Sequence, residues 1–231
     1  SSFSGGVVRD TRDDPFDPTR GTLVGVDGEV AARAIGSEVG FAKTFLQGFI
    51  YRTVPGTGRV VFAGGARLGL AYGFPRSLTV GLEPPGDSGT PVQLIQIDVS
   101  DPSLPISERY FGGGDTTVRG FALDRLGDDA TIDQDGFPQG GNAMLIFNGE
   151  LRVPVTTDLG VVGFLDAGNV YDRVHNLSLG RIRGGVGFGV RYRSPVGPIR
   201  VDLGFKLDRR EFDNGELERR SALHISIGQA F

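Results

Sequence analysis

The sequence has no cysteine and no tryptophan, and it has only two histidines and one methionine among its 231 residues. Without cysteine there is no disulfide framework, no thiol nucleophile and no cysteine-based zinc site. The net charge of -4 argues against a general nucleic-acid-binding surface. No apolar run reaches the roughly eighteen residues of a transmembrane helix. A membrane-spanning β-barrel is not excluded by this, because its alternating strands give only a weak hydropathy signal.

Glycine is abundant, at 38 residues, which is more than double its average usage. Apolar residues recur mostly with a period of two, which predicts β-strands rather than helices. In the last segment, for example, Leu223, Ile225 and Ile227 share one face. We predict nine strands, at residues 1–11, 21–33, 38–53, 59–73, 142–154, 159–170, 181–193, 198–208 and 221–231.

The two faces of these predicted strands differ in character. One face is apolar and uncharged, and the other carries glycine and charges of both signs. Short turns alternate with long polar loops, the longest at 76–141, and this is typical of an outer-membrane barrel. We therefore predict an all-β fold, an antiparallel transmembrane β-barrel meander forming a single domain over residues 1–231. A soluble β-sandwich is the alternative, but it rarely needs so many glycines and arginines in its strand centres.

The stretch "RYFGGGDTTVRGF", residues 109–121, has the glycines of a phosphate-binding loop but lacks the lysine and the following helix that such a loop requires. "DQDG" lacks the glutamate of a calcium loop. The histidines, His175 and His224, have no supporting nucleophile or acid in the sequence pattern. We predict no catalytic residue, no metal site, no cofactor and no enzymatic activity.

Five motifs in order carry a family resemblance. They are "RYFGGGDTTVRGF", "GGNAMLIFNGELRVP", "VGFLDAGNVYD", "GFGVRYRSPVGPIRVDLG" and the terminal "SIGQAF". Together they resemble the BamA/TamA-type outer-membrane assembly superfamily, also called the bacterial surface antigen family, and the resemblance covers essentially the whole chain. It implies the C-terminal portion of a barrel of roughly sixteen strands, preceded in the family by periplasmic POTRA domains, of which this sequence has no pattern.

The resemblance also implies roles for particular residues. In the family, the long loop folds back into the barrel lumen and its arginine contacts acidic and aromatic residues of the inner wall. The lumen-loop motif corresponds here to Val118, Arg119, Gly120 and Phe121, and its inner-wall partners correspond to Glu150, Phe164, Asp166 and Gly168. We expect Arg119 to meet Asp166 with Glu150 nearby, and the glycines of 184–189 to admit Phe121 or to let the strand curve.

The end of the chain resembles the β-signal by which assembly machinery recognises its substrates. Its residues would be Leu223, Ile225, Ile227, Gly228 and Phe231. The implied function is insertion, assembly or translocation of outer-membrane proteins by an integral outer-membrane protein. The implied partners are the lipid bilayer, nascent outer-membrane or secreted polypeptides, accessory lipoproteins, and a second copy or chain that completes the barrel.

Two other functions are open at this stage. The barrel could be the anchor or pore of a larger protein, such as one fused to a patatin-like lipase. It could also be a small excised or engineered barrel without assembly activity.

Overall fold

The computed structural model describes residues 1–32, 36–37, 39–82, 93–99, 104–195, 197–211 and 215–228. Nine strands form one antiparallel sheet in which each strand pairs with the next one along the chain, apart from a hairpin inserted in the longest loop. The nine are β1 (Ser2–Asp10), β2 (Gly21–Ala31), β3 (Phe41–Thr53), β4 (Val61–Gly73), β7 (Ala143–Pro154), β8 (Leu159–Tyr171), β9 (Arg183–Ser194), β10 (Gly197–Lys206) and β11 (Ser221–Ile227).

The predicted meander of nine strands is therefore confirmed, with boundaries that shift by a few residues. One feature differs from the prediction, because the stretch 76–141 is not loop throughout. It contains a separate hairpin, β5 (Arg76–Leu82) paired with β6 (Gln93–Val99). The alternation in "RSLTVGL" and "QLIQIDV" was the available signal, and the polar Pro- and Gly-rich stretch between them obscured it.

The connections between strands lie at two opposite ends of the sheet. Residues 11–20, 54–60, 155–158 and 195–196 join strands at what we call the short-turn end. Residues 32–40, 74–142, 172–182 and 207–220 join strands at the long-loop end. Within the described part of the chain, β1 and β11 each pair with one neighbour only, so they are the edges of the sheet.

Burial is inverted relative to a water-soluble sheet. In β7, Glu150 and Arg152 are buried, while Phe147 and Leu151 on the opposite face are 40% and 49% exposed. The same inversion occurs in β8, where Asp166 is fully buried and Leu165 is 57% exposed. Aqueous solvent would favour the reverse arrangement, because exposed apolar area is unfavourable in water and buried charge is costly. An apolar outer face and a polar interior are the arrangement of a membrane barrel.

The long loop packs against the inner face of the sheet. Leu104, Tyr110, Val118, Phe121 and Leu126 of the loop are buried in one cluster with residues of β2, β3, β4, β7 and β8. The Tyr110 hydroxyl donates to the carbonyl of Thr44 in β3 at 2.8 Å. The interior of the sheet is thus filled by a segment of the chain itself.

Contacts between distant strands show that the sheet is strongly curved. Arg193, near the end of β9, donates to Asp17 in the turn between β1 and β2 at 2.8 Å. Four strands lie between β2 and β9 in the order of the sheet. Among the described residues, no helix is long and apolar enough to cross a membrane.

Candidate functional site

Arg119 lies at the centre of the buried polar interior and is bound mainly by Asp166 of β8. Its Nε donates to Asp166 Oδ2 at 2.7 Å, and its Nη2 donates to Asp166 Oδ1 at 3.0 Å. The backbone N–H of Arg119 also donates to Asp166 Oδ2, at 3.1 Å. One carboxylate therefore fixes both the side chain and the backbone of the loop at this residue, in the two-pronged geometry that gives arginine–carboxylate pairs their strength.

Two further groups of the inner face contact the guanidinium. Its Nη1 donates to Glu150 Oε2 of β7 at 2.5 Å, and its central carbon, Cζ, lies 3.6 Å from the centre of the Phe164 ring. Arg119 is 1% exposed, as is Glu150. A charge buried this deeply is tolerated because carboxylates, hydrogen bonds and an aromatic face replace the water it has lost.

The loop passes so close to β9 and β10 that these strands have no room for side chains at the crossing. A Cβ on Gly185 would overlap the carbonyl oxygen of Arg119, and a Cβ on Gly204 would overlap the backbone nitrogen of Gly120. Gly120 itself has a φ of 100°, which disfavours other residues. The backbone of Arg119 and Gly120, rather than the Phe121 ring, thus lies against Gly185 and Gly204.

The remaining residues of the two predicted motifs lie around the same contact. Val118 and Phe121 are fully buried, and the Phe121 ring is 4.7 Å from the guanidinium of Arg183. Gly168 lies on the inner face of β8, where a Cβ would be 2.6 Å from the Ile146 side chain of β7. The structure therefore brings the predicted residues 118–121 and their four predicted wall partners into one site.

Charged residues next to the site form a series of ion pairs along the inner face. Glu150 also accepts from Arg152 Nε at 2.8 Å and from Arg191 Nη2 at 3.2 Å. Arg191 in turn binds Asp202 of β10, with 2.5 Å between Nη1 and Oδ1. Arg200 donates to Asp115 of the long loop at 3.1 Å, so that a second cation holds the loop.

Asn148 is a further partner that the sequence analysis missed. Its Nδ2 donates to the carbonyl of Thr117 at 2.6 Å and to Asp166 Oδ1 at 2.9 Å. Asn148 lies on β7, more than 40 residues before Arg191 of β9, whereas Arg191 and Asp202 lie on the neighbouring strands β9 and β10, 11 residues apart. The available signal was a polar residue in the centre of an otherwise alternating strand, on the same face as Glu150 or Asp166.

A second cluster holds the loop at the long-loop end, and we call it the outer clamp. It consists of Gly127, Asp128, Arg181, Arg183 and Glu218. Arg183 donates to the Gly127 carbonyl at 3.0 Å and to Glu218 Oε2 at 2.5 Å, and Arg181 donates to Asp128 at 2.9 Å. The outer clamp joins the long loop to β9 and to the loops at residues 172–182 and 207–220.

Burial and ion pairing shift the pKa values of the loop groups. Burial disfavours the charged form of Arg119, but its hydrogen bonds with Asp166 and the charge of Glu150 outweigh this, so its pKa is raised. Burial likewise opposes ionisation of Glu218, yet hydrogen bonding from Arg183 and its charge hold the pKa of Glu218 below its usual value. Burial raises the pKa of Tyr110 to about 12. All three groups therefore keep one charge state at neutral pH.

The residues of the predicted β-signal lie on and after the edge strand β11. Leu223, Ile225 and Ile227 point outward and are 62–70% exposed. Gly228 follows with a φ of 102°, and its N–H donates to the Pro198 carbonyl at 2.8 Å. Phe231 lies outside the described residues.

Comparisons with known proteins agree with this architecture. A family model described as the Omp85 superfamily domain matches residues 1–231. The outer membrane protein assembly factor BamA of Nitratidesulfovibrio vulgaris is 28% identical over 227 residues, which are 97% of this chain and 25% of that protein. The crystal structure of BamA from Haemophilus ducreyi lacking POTRA domains 1–3 superposes with a TM-score of 0.68 at 19% identity, over 97% of this chain and 42% of that one.

The chain thus spans about a quarter of the curated relative. The structural likeness concerns the fold. The polar inner face and exposed apolar outer face of this sheet are those of a barrel integral to the outer membrane. With the family model covering every residue, the chain belongs to the Omp85 superfamily.

Proposed function

We propose that the chain is the C-terminal part of an outer-membrane barrel that inserts, assembles or translocates other polypeptides. In this proposal Arg119 holds the long loop inside the barrel and so keeps the wall in its working shape. The observation that carries the proposal is the buried contact of Arg119 with Asp166 and Glu150, which ties one loop to two wall strands. The name of the relative, an outer membrane protein assembly factor, supports the same class of function.

The proposed mechanism uses strand edges rather than a chemical step. An edge strand presents N–H and C=O groups that can pair with an incoming strand. β11 is such an edge, and its outward residues Leu223, Ile225 and Ile227 match the hydrocarbon core of a bilayer. We propose that this edge, as a β-signal or as a template, engages other strands during assembly, and that the protein has no enzymatic activity.

The partners follow from the mechanism. Lipid would cover the apolar outer face, and nascent outer-membrane or secreted polypeptides would be the substrates. Accessory lipoproteins, and further strands that complete the barrel next to β1 and β11, remain predictions. So does the single-domain assignment of residues 1–231.

Reconstitution tests the proposal. The protein as encoded would be placed in lipid vesicles, and the folding of an unfolded outer-membrane protein would be followed by its gel mobility. We expect wild-type protein to accelerate folding, Arg119→Ala to lose most of the acceleration, and Arg125→Ala to retain it. Arg125 is a matched control, because it is an exposed arginine of the same loop. Equal activity of the two variants would contradict the role of Arg119, and no acceleration by wild type would contradict the assembly function.

A further inference from the structure

A cavity of about 450 Å³ opens on the inner side of the sheet at the short-turn end. It is lined by the turns after β1, β3 and β7 and by the ends of β7, β8 and β9. Its size is within the range of about 300–1,000 Å³ that small-ligand sites occupy. Arg119 is not among its lining residues, although Arg152 and Arg191 of its wall also bind Glu150.

The lining of the cavity is rich in arginine. It has five arginines and two aspartates. Glu150 and Asp202 behind the lining pair with Arg152 and Arg191, which leaves an excess of about one positive charge. The arginines are Arg20, Arg59, Arg152, Arg191 and Arg193. Arg193 is bound to Asp17, but within the described part of the chain neither Arg20 nor Arg59 has an ion-pair partner, and both are exposed at the rim.

The inner wall of the cavity has unused hydrogen-bond donors. Arg152 and Arg191 are each 8% exposed, and both bind Glu150. Arg152 Nη2 and Arg191 Nε are nevertheless buried without an acceptor among the described residues. Buried donors in folded proteins are almost always satisfied, so these two N–H groups are available to an acceptor at this wall.

We propose that this cavity binds an acidic segment of a polypeptide through the carboxylates of its aspartate or glutamate side chains. Planar guanidinium groups pair with carboxylates in a two-pronged geometry, and both the wall and the rim of the cavity supply them. Apolar lining residues such as Val61, Val162 and Pro198 lie between the arginines and suit the remainder of a peptide.

The surroundings favour a polypeptide over a lipid phosphate. The cavity is lined by short turns and by inward side chains of the wall, such as Arg152 and Arg191, while Val190, an outward residue of β9, is not part of the lining and is exposed on the apolar face. A lipid headgroup would have to leave the outer face to reach it, whereas a segment in the aqueous phase enters directly. The site goes beyond the proposed function, since its occupancy can be measured without any assembly reaction.

The test is direct binding of a short fluorescent peptide of alternating Asp and Ser to the protein as encoded, in uncharged detergent at low ionic strength. We expect saturable binding, and a peptide with Asn in place of Asp should not bind. The double variant Arg20→Gln with Arg59→Gln should raise the Kd by about tenfold or more. The charges of the rim contribute to binding, and at low ionic strength salt screens them least. Both residues are exposed, so unchanged gel mobility of the folded form will show that the variant folds.

The matched control removes two exposed arginines from the opposite end, Arg125→Gln with Arg219→Gln. It should leave the Kd within about twofold of wild type, which separates a local site from a general charge effect. Equal weakening by both double variants, or binding of the Asn peptide, would overturn the site. Displacement of the acidic peptide by inorganic phosphate at lower concentration than by acetate would overturn the assignment to carboxylates.

Discussion

Arg119 and Asp166 are joined at three points, since the Nε, the Nη2 and the backbone N–H of Arg119 all donate to the one carboxylate. The two residues are 47 positions apart and lie on a loop and on a wall strand. This contact therefore ties the position of the loop to the geometry of β8. The packing of the loop against β10 and the outer clamp support this contact.

Arg119→Lys should destabilise the folded barrel although the charge is kept. A lysine ammonium cannot donate to Asp166 and Glu150 in the forked geometry, and hydrogen bonds to charged groups are worth about 1.5–3 kcal/mol each. We expect a loss of about 2–3 kcal/mol of unfolding free energy. Arg125→Lys is the control, and a urea series read by gel mobility is a suitable measurement because the sequence has no tryptophan. Equal stability of the two variants would argue against a forked contact.

Gly204→Ala should push the loop away from β10. The added methyl would overlap the backbone nitrogen of Gly120, and overpacking of this kind costs about 1–3 kcal/mol. This cost favours the state in which the loop is detached from β10, and 1.4 kcal/mol corresponds to about a tenfold change in that equilibrium. Trypsin should therefore cleave after Arg119 about tenfold faster.

The control for this change is Gly163→Ala in β8, where a Cβ would have no atom within 4 Å. Mass spectrometry of timed digests would give both cleavage rates. If Gly204→Ala is cleaved no faster than Gly163→Ala, the close passage of the loop past β10 is wrong.

The outer clamp should weaken in acid. The folded pKa of Glu218 is lowered from its usual value of 4.5, so its contribution is complete above that pH and is lost as the pH falls through the folded pKa. At pH 7 we expect Glu218→Gln to cost about 2 kcal/mol, since it removes a charged partner of Arg183. The difference in unfolding free energy between Glu218→Gln and wild type should shrink as the pH falls below 4.5, the usual pKa of a glutamate.

Asp135→Asn, at an exposed carboxylate of the long loop, is the matched control and should change stability little at any pH. Urea series at several pH values would give both differences. A cost of Glu218→Gln that stays constant down to pH values well below 4.5 would contradict the lowered pKa.

The sequence was informative where a local pattern decides the structure. Alternation with a period of two is enough to predict nine wall strands and the polar face that contains Glu150 and Asp166. The family resemblance, rather than any local pattern, implied the wall residues Glu150, Phe164 and Asp166, which all contact Arg119 in the structure. The hairpin of β5 and β6 was missed because its strands lie outside the main sheet, within a segment whose polar composition indicates a loop.

The local sequence does not determine the register, that is, which residues of neighbouring strands lie opposite each other. That Gly204 faces Gly120, or that Asn148 reaches both Thr117 and Asp166, depends on which residues oppose each other across several strands. The same limit hid the cavity at the short-turn end. Its arginines come from four separate segments of the chain and meet only because the sheet curves.

A double-mutant cycle on Arg119 and Asp166 tests the central claim most directly. The unfolding free energy would be measured for wild type, Arg119→Ala, Asp166→Ala and the double variant. Each single change should cost about 3–5 kcal/mol, because it leaves a buried charge unpaired. We predict that the double variant costs no more than the worse single one, so the coupling energy should be about 3 kcal/mol or more. Additive costs, with no coupling, would contradict the claim that Asp166 holds the loop through Arg119.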